Sequence, residues 1–281
     1  MEMNLPDGAG GHTPYYPDTD YEGLVDAQIA KAEAHNNLFR GKEITESWAS
    51  LKARIAQGDF SDLYIGDKKE ITLTTGEKVV MEIAGIDRDY QFCDTAVGHH
   101  IDFISRDALA TTYQFNATNT NNGTSSQKCP WLASALYTTL NSTVYNTLPS
   151  DLKSNIITKR ALLEERYSAG GAVAADTSWS WQNMGNLWIP TEIEVFGHHT
   201  WSEPGYGTGC AGGNIQYPIF RLAPSHIIKG AGNGGSRCSW WEASAHRTGA
   251  AGFCAVGSDG GASGGSASVT GIRAPLCFRI G

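Results

Sequence analysis

The side chains able to do chemistry are few and scattered. Six cysteines occur, Cys93, Cys129, Cys210, Cys238, Cys254 and Cys277. None forms a C-x-x-C pair, so neither a zinc ribbon nor a thioredoxin-type site is expected. The even number permits disulfides without naming them, and the expectation is buried free thiols. The doublets His99-His100 and His198-His199 place neighbouring side chains on opposite faces of any strand, so neither doublet readily shares one ion. Glu192 and Glu194 are a carboxylate pair of the sort glycosidases use. In the context Thr191-Glu-Ile-Glu they read instead as a capped helix start. No Gly-x-Ser-x-Gly elbow or His-Glu-x-x-His motif is present. Calcium wants a cluster of oxygen ligands, and Asp259 stands alone among the C-terminal loops. The expectation is therefore no catalytic constellation, no metal site and no cofactor.

The elements that would carry these residues belong to an acidic, loop-rich chain. Of 281 residues, 41% are hydrophobic and 18% charged, which suffices for a real core. The net charge is −8 and the pI about 5.5, with no Lys/Arg cluster, which argues against binding nucleic acid or an anionic membrane. Thirty-three glycines and eight tryptophans suit ordered, irregular loops. No apolar run is long enough to span a membrane, and the first residues lack the basic start and apolar core of a secretory leader. Residues 1–20 read as an extended arm.

Spacing predicts helices over 21–39 and 44–57, the second beginning at Thr45 or Glu46 with Trp48, Leu51 and Ile55 on one face. Phe60, Leu63 and Ile65 suggest a strand. Residues 70–74 and 78–84 form a strand–turn–strand signal, and 101–106 another strand, giving a small antiparallel sheet over 60–106. Residues 114–128 are a polar loop, and its Asn116 and Asn122 sequons are read as loop chemistry rather than glycosylation sites. Two helices follow, over 131–144 and 149–157. Residues 187–197 run as a strand into a helical turn capped by Thr191. From His198 onward no helix is expected, only short strands carrying loops. Periodicity by itself thus gives an α+β chain with a loop-rich C-terminal half.

The order of Trp188-Ile-Pro-Thr-Glu-Ile-Glu-Val-Phe-Gly, Gln216-Tyr-Pro-Ile-Phe, Trp240-Trp-Glu-Ala-Ser-Ala, Phe253-Cys-Ala-Val and Gly271-Ile-Arg-Ala-Pro-Leu-Cys-Phe resembles a domain family of gut Firmicutes and their phages. Members carry a Trp-Trp-x-x-Ser-x motif, a variable polar stretch and a closing Gly-Val-Arg-Pro-like strand. Cys129-Pro-Trp-Leu-Ala-Ser-Ala-Leu-Tyr and Leu148-Pro-Ser-Asp-Leu-Lys also look like that family, and the resemblance covers about residues 60–281. Its relatives include the C-type-lectin-like folds of formylglycine-generating enzymes and of variable proteins diversified by retroelements. The resemblance implies a fixed scaffold with a C-terminal face of changing side chains. Gly234-Gly-Ser-Arg-Cys238 resembles the approach to the formylglycine-generating site, but that site needs two cysteines and the second position here is Ala243. Glu203-Pro204 is followed by Gly205 rather than the amide residue of calcium-dependent lectins.

The expected organisation is an N-terminal arm with helices (1–58) for oligomerisation or attachment, and a C-type-lectin-like ligand-binding domain (59–281). The expected role is a phage tail-associated or hypervariable receptor-binding protein, carried on the virion as a homo-oligomer, a homotrimer matching tail-fibre symmetry, beside other tail proteins. Its partner would be a bacterial surface glycan or protein. The candidate ligand-binding residues are Trp240, Trp241, Ser244, His246, Arg247, Thr248, Ser258, Asp259, Ser263 and Thr270, with the two tryptophans also suited to the core. The rival readings are a formylglycine-generating-like enzyme on the same fold and a purely structural tail component.

Overall fold

The computed structural model describes residues 3–6, 12–15, 19–90, 93–169, 178–203 and 216–281, with side chains from residue 27 onward. Cys210 and the Pro204-Gly205 step lie outside the described residues. Strands β1 (Met3–Pro6) and β2 (His12–Tyr15) pair antiparallel ahead of helix α1 (Thr19–Asn36). Helix α2 (Trp48–Ile55) starts later than Thr45 or Glu46 because Ser47 caps it, its side chain accepting from the Ser50 N–H at 3.1 Å. Trp48, Leu51 and Ile55 form its buried face. The Trp48 ring meets Phe103 and Phe278 edge-on, with centroids 5.4 and 5.6 Å away.

Phe60, Leu63 and Ile65 are buried but make no strand. Buried Asp67 is the reason. Its carboxylate accepts from the Tyr64 and Lys42 N–H groups and from Arg40 Nε, at 2.9, 2.8 and 3.0 Å, winding 59–67 into turns. The expected strand–turn–strand is present as β3 (Lys68–Thr72) and β4 (Lys78–Ile86). Strand β5 (Ile101–Thr112) runs six residues beyond the apolar segment that marks it in the sequence.

Helices α3 (Ala135–Thr139), α4 (Tyr145–Thr147), joined by a π-turn over Leu140–Val144, and α5 (Ser150–Lys153) are shorter than their sequence signals. Strand β6 (Ile156–Ile157) follows, then a hairpin that spacing did not reveal, β7 (Arg160–Glu165) with β8 (Ser178–Asn183). Helix α6 (Glu192–Phe196) is capped as expected: Thr191 and Glu194 make a reciprocal capping box. Contrary to expectation, helical turns occur after His198. Helix α7 (Pro218–Leu222) and a 3₁₀ turn (Pro224–Ile227) both open on proline, whose fixed φ suits a first helical position. Strands β9 (Lys229–Gly230), β10 (Arg237–Cys238), β11 (Trp240–Ala245), β12 (Gly252–Val256), β13 (Ala262–Ser266) and β14 (Arg273–Ile280) complete the chain.

The fold is α+β, with a mostly antiparallel sheet and few, short helices. The main sheet runs β13-β12-β11-β14-β5-β4-β3, and β11–β14 is its parallel step. Pro275 sits inside β14, where a proline would cost a ladder bond, and the register shifts on both sides of it. One buried cluster joins α2, the sheet and the α3–α5 layer. No helix among the described residues is long and apolar enough to cross a membrane.

A buried ionic network crosses this core. Arg279 on β14 lies opposite Asp102 on β5 and grips its carboxylate with Nε and Nη2 at 2.7 and 2.8 Å. Nη2 also bonds Asp89, and the Tyr217 hydroxyl donates to Asp102 at 2.9 Å. Burial pushes the Asp102 carboxyl up, but the Arg279 charge and hydrogen bonds outweigh it and hold the group below its ordinary value. Next to it, Glu194 pairs with Lys159 and lies 3.5 Å from Arg88, whose guanidinium sits 3.8 Å from the Tyr217 ring centroid.

Candidate functional site

Strands β11, β12 and β13 form a hairpin stack with two distinct faces. A Cβ on Gly265 would meet the Trp241 ring at 2.8 Å, whereas a Cβ on Gly264 would meet His246 Cδ2 at the same distance. Alternation then assigns Trp241, Phe253, Ala255 and Ser263 to the core side, and Glu242, Ser244, Cys254 and Gly264 to the other. Helix α6 meets that second side at Ser244 and Trp201 meets it at His246, while Gly264 stays exposed.

Trp240 and Trp241 are fully buried and donate through Nε1 to the carbonyls of Ile227 and Tyr113, at 2.9 and 2.8 Å. They are scaffold, closed off from solvent. Ser263 shares the core side and is half-buried. Ser244 is spoken for as well: its hydroxyl accepts the Glu192 N–H at 3.0 Å, satisfying a first-turn donor of α6. Ser258 and Asp259 are exposed at the β12–β13 turn, where Asp259 accepts from the Gly261 N–H at 3.0 Å. That turn closes the hairpin at the end opposite the 246–251 loop. Thr270 is exposed in the β13–β14 connection.

His246, Arg247 and Thr248 do come together, around a residue the sequence reading passed over. Trp201 is 38% exposed, one of few large apolar side chains so placed among the described residues. Its ring stacks on His246 with centroids 5.3 Å apart and planes 21° apart, and its Nε1 donates to Ala262 O at 3.3 Å. The Arg247 N–H donates to Trp201 O at 2.8 Å, and Arg247 and Thr248 are exposed beside it. Thr248 Oγ1 lies 3.1 Å from His246 Nδ1. Burial holds the His246 imidazole below its ordinary value, assisted by Arg166 and Arg247 against Glu192. At neutral pH it is thus an uncharged ring on an aromatic platform.

The platform is held from beneath. Glu192 accepts the N–H groups of Thr200, Trp201 and Ser202 at 2.8–3.1 Å, and the Ser202 hydroxyl at 2.6 Å. Buried Asn121 donates Nδ2 to the carbonyls of His246, Gly249 and Gly252, at 3.2, 2.7 and 2.8 Å. Arg166 Nη1 adds bonds to His246 O and Gly249 O at 2.9 and 3.4 Å. Asn121 lies in the stretch read as a polar loop, and nothing local distinguishes it from Asn119 or Asn122. The neighbouring sequon residue Asn122 binds Ser168 O through its amide nitrogen at 3.0 Å. Replacing Asn121 with Ala leaves buried carbonyls short of a donor, at about 1–3 kcal/mol. The expected outcome is a lower urea midpoint and faster amide exchange confined to residues 246–252, read by hydrogen-exchange mass spectrometry.

Between β7–β8, α6 and the end of β11 lies a cleft of about 20 Å³, room for one water. Trp179, His199, Ser202 and Glu203 line its rim, with His199 Nδ1 2.9 Å from Ser202 Oγ. The other histidine doublet is structural: His99 pairs with Asp87 at 2.6 Å, and buried His100 receives the Asp89 N–H on Nε2 at 3.3 Å. Among the described cysteines all five are free thiols, with Cys129, Cys254 and Cys277 buried.

Residues 103–280 match the model of a domain family of unknown function, DUF6273. The matched span runs from β5 to β14 and contains the whole platform. No curated protein and no solved structure matches the chain.

Proposed function

This chain belongs to the DUF6273 family, and on that premise we propose that it is a receptor-binding protein of phage-tail type, recognising a bacterial surface ligand through its C-terminal hairpins. The observation that carries the reading is the Trp201–His246 stack, exposed at the surface with Arg247 and Thr248 at its edge. A flat aromatic pair takes the apolar face of a sugar ring or an aliphatic side chain, and the flanking donors fix its orientation. The clamp of Glu192, Asn121 and Arg166 preorganises that surface, which reduces the ordering cost of binding. A C-type-lectin-like arrangement of the sheet fits this logic, since recognition would sit on loops held by a rigid scaffold. Copies joined as a trimer through the N-terminal region would convert weak single contacts into avid adhesion to a cell. A formylglycine-generating-like reaction is less well supported. Besides the missing thiol at Ala243, burial raises the Cys238 thiol, which works against a reactive thiolate.

The test is adhesion of the purified full-length chain to a panel of whole gut bacteria, with three variants. Trp201→Ala removes a stacking anchor, and a loss of about 2 kcal/mol, roughly 30-fold in affinity, is expected on strains the wild type selects. His246→Ala with Arg247→Ala is expected to act in the same direction. Ser258→Ala with Asp259→Ala, at the far end of the hairpin, is expected to leave adhesion unchanged. Adhesion insensitive to Trp201 but lost with Ser258 and Asp259 would move the site to the β12–β13 turn. Failure to bind every strain would favour the structural tail role.

A further inference from the structure

Two groups of acidic and metal-ligating side chains are buried in this chain, and their surroundings differ. Asp89, His100 and Asp102 surround a cation already in place, the guanidinium of Arg279. Among the described residues, no cation forms an ion pair with Glu192, Glu242 or Cys254. Their ligand atoms lie within 4.8 Å of one another, and all three residues are buried. Both carboxylate oxygens of Glu242, on a fully buried side chain, lack a hydrogen-bond partner among the described residues. Orphaned buried carboxylate oxygens are among the costliest features a core can hold and call for a specific explanation.

We infer that Glu192, Glu242 and Cys254 form a binding site for one divalent metal ion of the zinc class, seated between α6 and the outer face of β11–β12. The side chains converge because Glu242 and Cys254 share that face and α6 lies directly over it. Glu192 retains coordinating capacity: its Oε2 accepts four hydrogen bonds, whereas Oε1 accepts one, from Trp201 N at 2.9 Å. Two carboxylates and a thiolate are ligands that zinc accepts, and the sulfur excludes calcium and magnesium, which demand all-oxygen shells. Tetrahedral zinc at metal–ligand distances near 2.0–2.3 Å requires the three atoms to draw together by about 1 Å. The ion would tie β11 and β12 to the segment carrying Trp201, and the inference stands whether or not that tryptophan meets a receptor.

The full-length chain, stripped with a chelator, is titrated with cobalt(II) and cadmium(II). A thiolate-to-metal charge-transfer band saturating at about one ion per chain is expected. Zinc retained after gel filtration, measured by elemental analysis, is expected to fall at least roughly tenfold in Glu242→Gln. The charge-transfer band is expected to vanish in Cys254→Ser. X-ray absorption on the zinc-loaded wild type needs no variant and is expected to show a single sulfur among oxygen ligands. A wild-type chain that retains no zinc overturns the inference, leaving Glu242 as a neutral acid beside Glu192. It is equally overturned by a sulfur-free shell, or by a band that persists in Cys254→Ser.

Discussion

Arg279→Met is expected to cost about 3–5 kcal/mol of folding stability, because it removes one partner from a buried ion pair and strands the other. Asp102 is fully buried and takes two bonds from Arg279 and one from Tyr217. Without the guanidinium, the single Tyr217 hydroxyl remains on that carboxylate. Urea unfolding at neutral pH reads the loss directly. Its signature under acid separates charge stranding from a simple packing defect. In the wild type the folded-state carboxyl of Asp102 titrates below its unfolded value. Its contribution is present above the unfolded carboxyl pKa, near 3.9, and declines as pH falls toward the folded value. In Arg279→Met burial acts on Asp102 with the Tyr217 hydroxyl, His100 and Lys159 left to oppose it, so the folded carboxyl rises relative to wild type and protonation costs the native state less. The variant is therefore expected to gain stability relative to wild type as pH falls from 7 toward 4. A gap between the two proteins that stays constant over that range would show that Arg279 acts through packing alone. The double variant Arg279→Met/Asp102→Leu is expected to lose less than the single one, since no buried charge of that pair is left unmatched.

What sequence could and could not disclose divides along contact distance. The buried stripe of α2, the β3–β4 hairpin and the capping box of α6 rest on residues within a turn or two of each other, and their signals are local. The platform is not local. Trp201 meets His246, 45 positions on, and Asn121 reaches a loop more than 120 residues away. Asp102 and Arg279, 177 residues apart, become neighbours only once β5 and β14 are paired. The β7–β8 hairpin has no alternating apolar pattern, because β7 carries Arg160, Glu164 and Glu165. Arg166, just beyond β7, has its guanidinium buried and turned to Glu164 and the 246–249 loop. The short helices after His198 escaped for a different reason: Pro218 and Pro224 read as breakers, yet each stands at a first turn, where proline starts a helix. Candidate residues chosen by polarity scattered for the same cause. Ser244 and Ser263 are polar, but strand alternation and an α6 donor decide where they point, and neither fact is visible in a linear stretch.

Lys229 provides the opposite electrostatic case, a buried cation whose hydrogen bonds among the described residues go to backbone carbonyls. Its ammonium donates to Ser105 O at 2.5 Å and Arg106 O at 3.3 Å, and lies 5.5 and 5.9 Å from the ring centroids of Trp240 and Phe220. Burial pulls its pKa down to about 8, only partly opposed by Cys277 and Glu82. The sign follows from that depression. Below pH 8 the amine is charged in both states, and the folded chain bears the full cost of a buried ammonium. That cost is about 3 kcal/mol, from a folded pKa of about 8 against an unfolded one near 10.4. Between about pH 8 and the unfolded value near 10.4, the folded state sheds the proton while the unfolded state keeps it, so stability rises with pH. Lys229→Met removes that dependence and forfeits the bonds to two backbone carbonyls, worth about 1–2 kcal/mol together. The variant is expected to be more stable than wild type by about 1–2 kcal/mol at pH 7 and less stable by pH 10, a crossing visible in urea midpoints at the two values. Other groups that titrate in this range are present in both proteins and largely cancel in the difference. Midpoints that stay parallel from pH 7 to 10 would mean that the amine keeps its proton in the fold, with the two carbonyls and aromatic rings compensating its burial.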